Sequence, residues 1–183
     1  MHGAGNDYIY IDLFIDDMYS LFIPHLATHY TPTPPALSQF IQYVSHRNKG
    51  IGSDGVIFIA PPKFKPQEAA SIDAVMIMFN ADGSRGRFCG NGLRCVAKFV
   101  FDNYCKSSSL LHISSDSGIK QCELVHLPVQ PFMDNSCTVD NSWIKLDLGK
   151  SKFEAADILL ACDTVQQDVN NNLFKLNAAT SEA

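Results

Sequence analysis

The stretch after Cys89 constrains the fold more than any other part of the chain. Leu93, Val96, Ala97, Val100, Phe101 and Tyr104 recur at i, i+3, i+4, i+7, i+8 and i+11, the spacing of one helical face. Cys95 and Phe99 widen that face, and only Arg94, Lys98 and Asp102 form a narrow polar stripe. A helix apolar around most of its circumference is buried on several sides. The spacing therefore predicts a helix that runs through the fold, with a sheet wrapped around it.

The remaining segments supply that sheet. Tyr8–Ile15 is rich in β-branched and aromatic residues and reads as a strand. Thr33-Pro34 reads as a helix start, with Thr33 as cap and Pro34 in the first turn, followed by Leu37, Phe40, Ile41 and Val44 on one face. Gly50–Gly55 is a turn cluster, Val56–Ala60 a short strand, Pro61–Pro66 a proline-rich loop, and Ile72–Phe79 a buried strand. Leu110–Ser114, Ile119–Leu127 and Trp143–Leu148 read as further strands, with a hairpin turn at Asp116–Gly118. Beyond Lys150, Ala155–Ala161 suits a helical turn or a strand, and the Asn/Gln-rich Val165–Asn172 suits an exposed loop.

Composition excludes several classes. A chain of 183 residues can bury a core without staples. Its net charge of −5 argues against a nucleic-acid partner, which usually meets a basic face. The longest unbroken apolar run, Ala74–Phe79, is far too short to cross a bilayer, so no membrane partner is expected. No secretory leader is visible. The six cysteines show no Cys-x-x-Cys pair and no zinc-like spacing, and read as free thiols in a reducing cytoplasm, with no metal expected.

The chemistry concentrates in Phe79-Asn-Ala-Asp-Gly-Ser-Arg-Gly-Arg-Phe-Cys-Gly-Asn-Gly-Leu-Arg-Cys95, where a strand enters a Gly-rich turn and Cys89 stands just before a helix. Backbone N–H groups at a helix start are unpaired and partly positive. They favour a thiolate, a competent base or nucleophile, and can hold a substrate carboxylate. Cys89-Gly90-Asn91-Gly92 thus reads as an anion-binding, proton-transferring site. Arg85 and Arg87 either act on Cys89 or point to solvent. Cys95, inside the helix, reads as a core residue. Asp7, Asp54 and Asp82 sit beside Gly or Asn and read as turn formers rather than acid–base groups. His2 and His46 have no visible orienting partner.

Three ordered blocks resemble diaminopimelate epimerase, the pyridoxal-independent enzyme of lysine and peptidoglycan biosynthesis. They are Met1-His-Gly-Ala-Gly-Asn-Asp-Tyr8, Gly50-Ile-Gly-Ser-Asp-Gly55, and Phe79–Ser84 followed by Cys89–Cys95. The resemblance implies an α/β (α+β) fold, a mostly antiparallel sheet or barrel around a central helix. It implies no cofactor, a small-molecule substrate (diaminopimelate), a homodimer in full-length members, and inversion of an amino-acid Cα between two cysteines. Carried over, Cys89 resembles the first of those cysteines. Gly90 and Asn91 would give N–H groups to the α-carboxylate, and Asn6 and Asn80 would hold the substrate. The family's second segments, Glu-Arg-Gly … Cys-Gly-Thr-Gly and Gly-Asn-Pro-His, do not occur in the sequence. The expectation is therefore a first half clipped at both ends, with an epimerase-like domain over 1–160 and the start of a crossover over 161–183. A non-catalytic fragment, or a related racemase or isomerase of the proline racemase or phenazine-pathway type, stands as the alternative.

Overall fold

Val56–Ala60 and Ala74–Phe79 are almost wholly apolar, and such runs form strands covered on both faces. In the computed structural model they do so, at the middle of a seven-stranded sheet. The structure describes residues 1–26, 33–126 and 142–149, together with strands 165–167 and 174–176. The elements run β1 (His2–Gly3), β2 (Asn6–Asp7), β3 (Ile9–Asp12), α1 (Asp16–Leu26), α2 (Pro35–Ser45), β4 (Gly55–Ala60), β5 (Ala74–Asn80), β6 (Arg85–Gly86), α3 (Gly90–Asn103), β7 (Leu110–Ser115), β8 (Gly118–His126), β9 (Ser142–Leu146), β10 (Val165–Gln167) and β11 (Phe174–Leu176). The chain divides into two compact units, Met1–Leu148 and Gly149–Ala183. In the second, β10 and β11 pair antiparallel, with Val165 opposite Leu176.

The main sheet has the order β3-β4-β5-β7-β8-β9, with β6 paired to β5. Most of its pairings are antiparallel, but β3 with β4 and β5 with β7 are parallel. Each parallel pair needs a crossover, and crossovers are right-handed. Both step the same way across the sheet, yet β5 points opposite to β3. Two right-handed crossovers must then leave on opposite faces. So α1 and α2 cover one face and α3 the other. The strands carry the division in their alternation. Ile57, Ile59, Met76 and Met78 join Leu93, Val96, Ala97, Val100 and Phe101 of α3 in one core. Val56, Phe58, Val75, Ile77 and Phe79 join Leu26 of α1 and Leu37 and Ile41 of α2 in the other.

The sheet curls around α3, which packs against β1, β2, β5, β7, β8 and β9. Leu93, Val96, Ala97, Val100 and Phe101 are buried, as their spacing requires. At the far end, the Tyr104 hydroxyl donates to Asp12 at the end of β3, and Phe14 stacks on the Tyr104 ring at 4.1 Å. The end of β3 is thereby tied to the C-terminal end of α3.

Some expectations change. The strand expected over Tyr8–Ile15 is confined to Ile9–Asp12, and α1 follows at once, unanticipated. Its first turn carries Asp16 and Asp17, which suit the helix N-terminus. Met18, Tyr19, Phe22 and Leu26 pack into the second core. Thr33 does not cap α2. Pro34 is extended (φ −51°, ψ 134°) and its carbonyl accepts from the Ser38 N–H at 3.0 Å, so the helix begins one residue later. Val165–Gln167 forms a strand where a loop was expected, because Phe174–Leu176 provides a partner. Ala155–Ala161, Leu127, Cys137 and Cys162 lie outside the described residues.

The helix face sets a stability prediction. Phe101→Ala should cost about 3–5 kcal/mol in urea unfolding, by the usual penalty for emptying a core aromatic. Asp102→Ala, on the exposed side with only its Lys98 pair to lose, should cost about 0.5 kcal/mol or less.

Candidate active site

A helix start leaves its first N–H groups without acceptors, and the approach to α3 decides what becomes of them. The β5–β6 hairpin delivers Cys89 in extended conformation (φ −140°, ψ 113°) as the cap of α3. The Cys89 Sγ accepts from the Gly92 N–H at 3.3 Å, and the Cys89 carbonyl accepts from the Leu93 N–H at 2.8 Å. Gly90 and Asn91, between them, keep N–H groups with no intrahelical acceptor. The first turn of α3 carries no acidic residue to neutralise them. A Cβ at Gly90 would fit without a clash, in ordinary van der Waals contact with Phe88 at 3.8 Å and Leu146 at 3.9 Å.

The N-terminal hairpin brings the second part of the site. β1 and β2 pair His2 with Asp7 and Gly3 with Asn6. Ala4 (φ 51°) and Gly5 (φ 95°) form the two-residue turn, both left-handed, as a tight hairpin with native twist requires. Gly3 passes so close to α3 that a Cβ there would lie 2.6 Å from the Asn91 carbonyl oxygen. That approach sets Asn6 against the helix start. The Asn91 Nδ2 donates to Asn6 Oδ1 at 2.9 Å, and Asn91 Oδ1 accepts from Arg94 Nη2 at 2.7 Å. With its side chain held at both ends, Asn91 is fixed with its backbone N–H at the open helix end.

A charged clasp holds the hairpin in turn. Arg47, just past α2, donates to both Asp7 oxygens (3.0 and 2.8 Å) and to Asp54 Oδ1 at 2.9 Å. The Asp7 N–H donates to Asp54 Oδ2 at 3.0 Å, and the Asp54 N–H to the Asp7 carbonyl at 2.8 Å. The Arg47 hydrogen bonds hold the Asp7 carboxyl down at about 2. Asp7 and Asp54 are thus ion-pair partners as well as turn residues. Arg47 went unrecognised because nothing local in the sequence joins it to position 7.

The structure brings Cys89, Gly90, Asn91 and Asn6 together. Asn80 ends β5, and its amide donates to Ser84 Oγ at 3.0 Å within the Asn80–Ser84 turn, where Asp82 also accepts from the Ser84 N–H at 2.9 Å. Arg85 does not reach for Cys89. It forms a two-point pair with Asp116 of the β7–β8 hairpin, at 2.6 and 3.1 Å. Cys95 is not a core residue. It is half-buried, on the polar-stripe side of α3, and lines a cleft of about 620 Å³ with Met1, Gly3, Arg94, Lys98 and Trp143. Cys89, Cys95, Cys105 and Cys122 are free thiols. Among the described residues, no group of His, Cys, Asp and Glu is arranged to hold a metal ion, and no helix is long and apolar enough to cross a membrane.

With this geometry in view, similar proteins are informative. The family described as diaminopimelate epimerase matches residues 1–130. The chain is 34% identical over 161 residues to diaminopimelate epimerase of Bacillus cytotoxicus, covering 86% of this chain and 44% of that protein. It is 35% identical over 158 residues to that of Methanococcus maripaludis, covering 86% and 45%. Against that of Brachyspira hyodysenteriae it is 39% identical over 124 residues, covering 68% and 37%. The chain thus spans less than half the length of these curated relatives.

Two outcomes follow from the site. Burial pushes the Cys122 thiol up to about 12, and burial together with Asp73 pushes Cys105 upward. Near neutral pH, iodoacetamide should modify Cys89 about tenfold or more faster than either, as read by peptide mapping. In the clasp, the Asp7 carboxyl lies below its unfolded value of about 3.9, so its contribution to stability is present above that value and disappears as pH falls towards 2. Arg47→Ala should therefore lower the melting temperature at neutral pH, and its difference from the unaltered protein should shrink between about pH 4 and pH 2.

Proposed function

The chain belongs to the diaminopimelate epimerase family, and we propose on that premise that Cys89 exchanges a proton with the Cα of diaminopimelate. The observation that carries this reading is a thiol capping a helix whose next two N–H groups are open. An amino-acid Cα proton is weakly acidic, so a base needs help from groups that stabilise the charge as it forms. The α-carboxylate would lie against the N–H groups of Gly90 and Asn91. As the Cα–H bond breaks, the proton passes to the Cys89 sulfur and the electron pair is delocalised into the carboxylate, where those donors wait. Return of a proton to the opposite face of Cα completes the inversion and requires a second acid. Cys95, Cys105 and Cys122 are placed elsewhere: along α3, past its end and inside β8.

Asn6 and Asn80 are proposed to hold the substrate, Asn6 from beside the helix start and Asn80 from the end of β5. The absence of an acidic residue from the first turn of α3 supports the carboxylate assignment, since nothing there competes for the two N–H groups. The free state of the described thiols supports a reducing cytoplasm as the site of the reaction.

The test is deuterium exchange. The chain is incubated with LL-diaminopimelate in heavy water, and deuterium at Cα is followed by mass spectrometry. The unaltered chain should incorporate deuterium, and Cys89→Ala should lower the rate about 10²–10⁴-fold, the usual range for a general acid–base group. Proline in place of diaminopimelate should give none. Exchange that survives Cys89→Ala unchanged, or no exchange in the unaltered chain, would refute the reading. Gly90→Ala should keep the melting temperature and slow exchange about tenfold or more, because its methyl group occupies the carboxylate space.

A further inference from the structure

An asparagine amide carries an acceptor at one corner and two donors at the other, and its partners decide which way it faces. An arginine guanidinium has donors only. Arg94 therefore fixes the polarity where it meets Asn91: its Nη2 donates to Asn91 Oδ1 at 2.7 Å. The Asn91 amide nitrogen is turned the other way and donates to Asn6 Oδ1 at 2.9 Å. Asn6 Oδ1 is thus engaged by Asn91, which leaves the Asn6 amide nitrogen at the opposite corner. Among the described residues no protein group accepts from it. Asn6 is half-buried, and this nitrogen keeps contact with solvent. The chain of amides resists reversal. Turning Asn91 end for end would set its NH2 against the guanidinium, donor against donor. Turning Asn6 alone would set its NH2 against that of Asn91. Rigid elements fix the spacing, since Asn91 and Arg94 lie one turn apart on α3 and Gly3 holds the Asn6 hairpin against the Asn91 carbonyl.

We propose that Arg94 is a positioning residue: it polarises the series Arg94–Asn91–Asn6 so that Asn6 offers a donor, not an acceptor, beside the open end of α3. The inference rests on the reading of the Gly90 and Asn91 N–H groups as carboxylate holders, and it adds a third donor to theirs. A carboxylate oxygen accepts from such a group. An ammonium has only hydrogens to give and finds no partner in the Asn6 nitrogen. In the reversed polarity Asn6 would present its carbonyl oxygen and receive the ammonium instead. Arg94, acting through Asn91 and Asn6, thus selects which end of an amino acid is received at this point.

The test reads the side-chain amides directly and needs no turnover. Exchange of the Asn6 and Asn91 side-chain NH2 protons with water is measured by ¹⁵N–¹H spectroscopy in the unaltered chain, Arg94→Met, Arg94→Lys and Asn6→Asp, and urea unfolding checks each fold. In the unaltered chain the bonded Asn91 proton should exchange about tenfold more slowly than those of Asn6. Arg94→Met, which has no donor, should erase or reverse that difference, and Arg94→Lys, a donor only, should keep it. Asn6→Asp still accepts from Asn91 and should keep the Asn91 protection. A difference that survives Arg94→Met, slower exchange at Asn6 than at Asn91 in the unaltered chain, or loss of Asn91 protection in Asn6→Asp overturns the proposal. LL-diaminopimelate is then added. The Asn6 side-chain signals should shift with the Gly90 and Asn91 N–H signals, and Arg94→Met should weaken binding about tenfold while Arg94→Lys stays within about threefold. Shifts at Gly90 and Asn91 without one at the Asn6 amide refute the third donor and keep the carboxylate reading. A polarity that depends on Arg94 in a chain where no signal shifts keeps the positioning role and refutes that reading.

Discussion

The first turn of α3 leaves the N–H groups of Gly90 and Asn91 without helical partners, and the surrounding structure holds that end of the helix open. The Cys89 Sγ takes the Gly92 N–H, and its carbonyl takes that of Leu93. Asn91 spends its side chain on Asn6 and Arg94, which fixes the residue and leaves its backbone donor facing outward. Gly3 allows the hairpin carrying Asn6 to approach the Asn91 carbonyl to a distance no side chain would permit. Each contact is local, and together they present a thiol and two donors at one place.

A helix end is a usable site only when it cannot move, and here the sheet prevents movement. Two right-handed crossovers leave on opposite faces because β3 and β5 point in opposite directions. One crossover consists of α1 and α2, the other of the β6 hairpin and α3. The central strands are buried on both faces, so α3 rests on a layer that is itself packed from behind. The Tyr104–Asp12 contact secures the far end of the helix to the end of β3. The Arg47 clasp then ties the N-terminal hairpin to the turn that opens β4. Placement of the site depends on this register more than on any one hydrogen bond at it.

Much of this was legible in the sequence. The buried face of α3 follows from apolar spacing, because a periodicity summed over many residues resists local exceptions. Cys89, Gly90 and Asn91 were visible because a helix start is a local feature. Asn6 came from the family resemblance of the opening block, and its contact with Asn91 spans 85 positions. What escaped was long-range or weakly patterned. Arg47 reaches Asp7 across 40 residues. α1 was hidden because Pro24 lies inside it and the preceding strand residues run straight into its first turn. Cys95 was assigned to the core from helical position alone, but the sheet closes on the other side of α3 and leaves Cys95 lining a cleft.

The central claim is that two open N–H groups next to a thiol receive a carboxylate. The most direct measurement is the ¹⁵N–¹H spectrum of the chain as diaminopimelate is added. The account predicts that the amide signals of Gly90 and Asn91 shift most, that Gly92 moves less because Cys89 already holds its N–H, and that Gly90→Ala suppresses the response. Shifts confined to other parts of the sheet, or a Gly90→Ala chain that responds like the unaltered one, would contradict it.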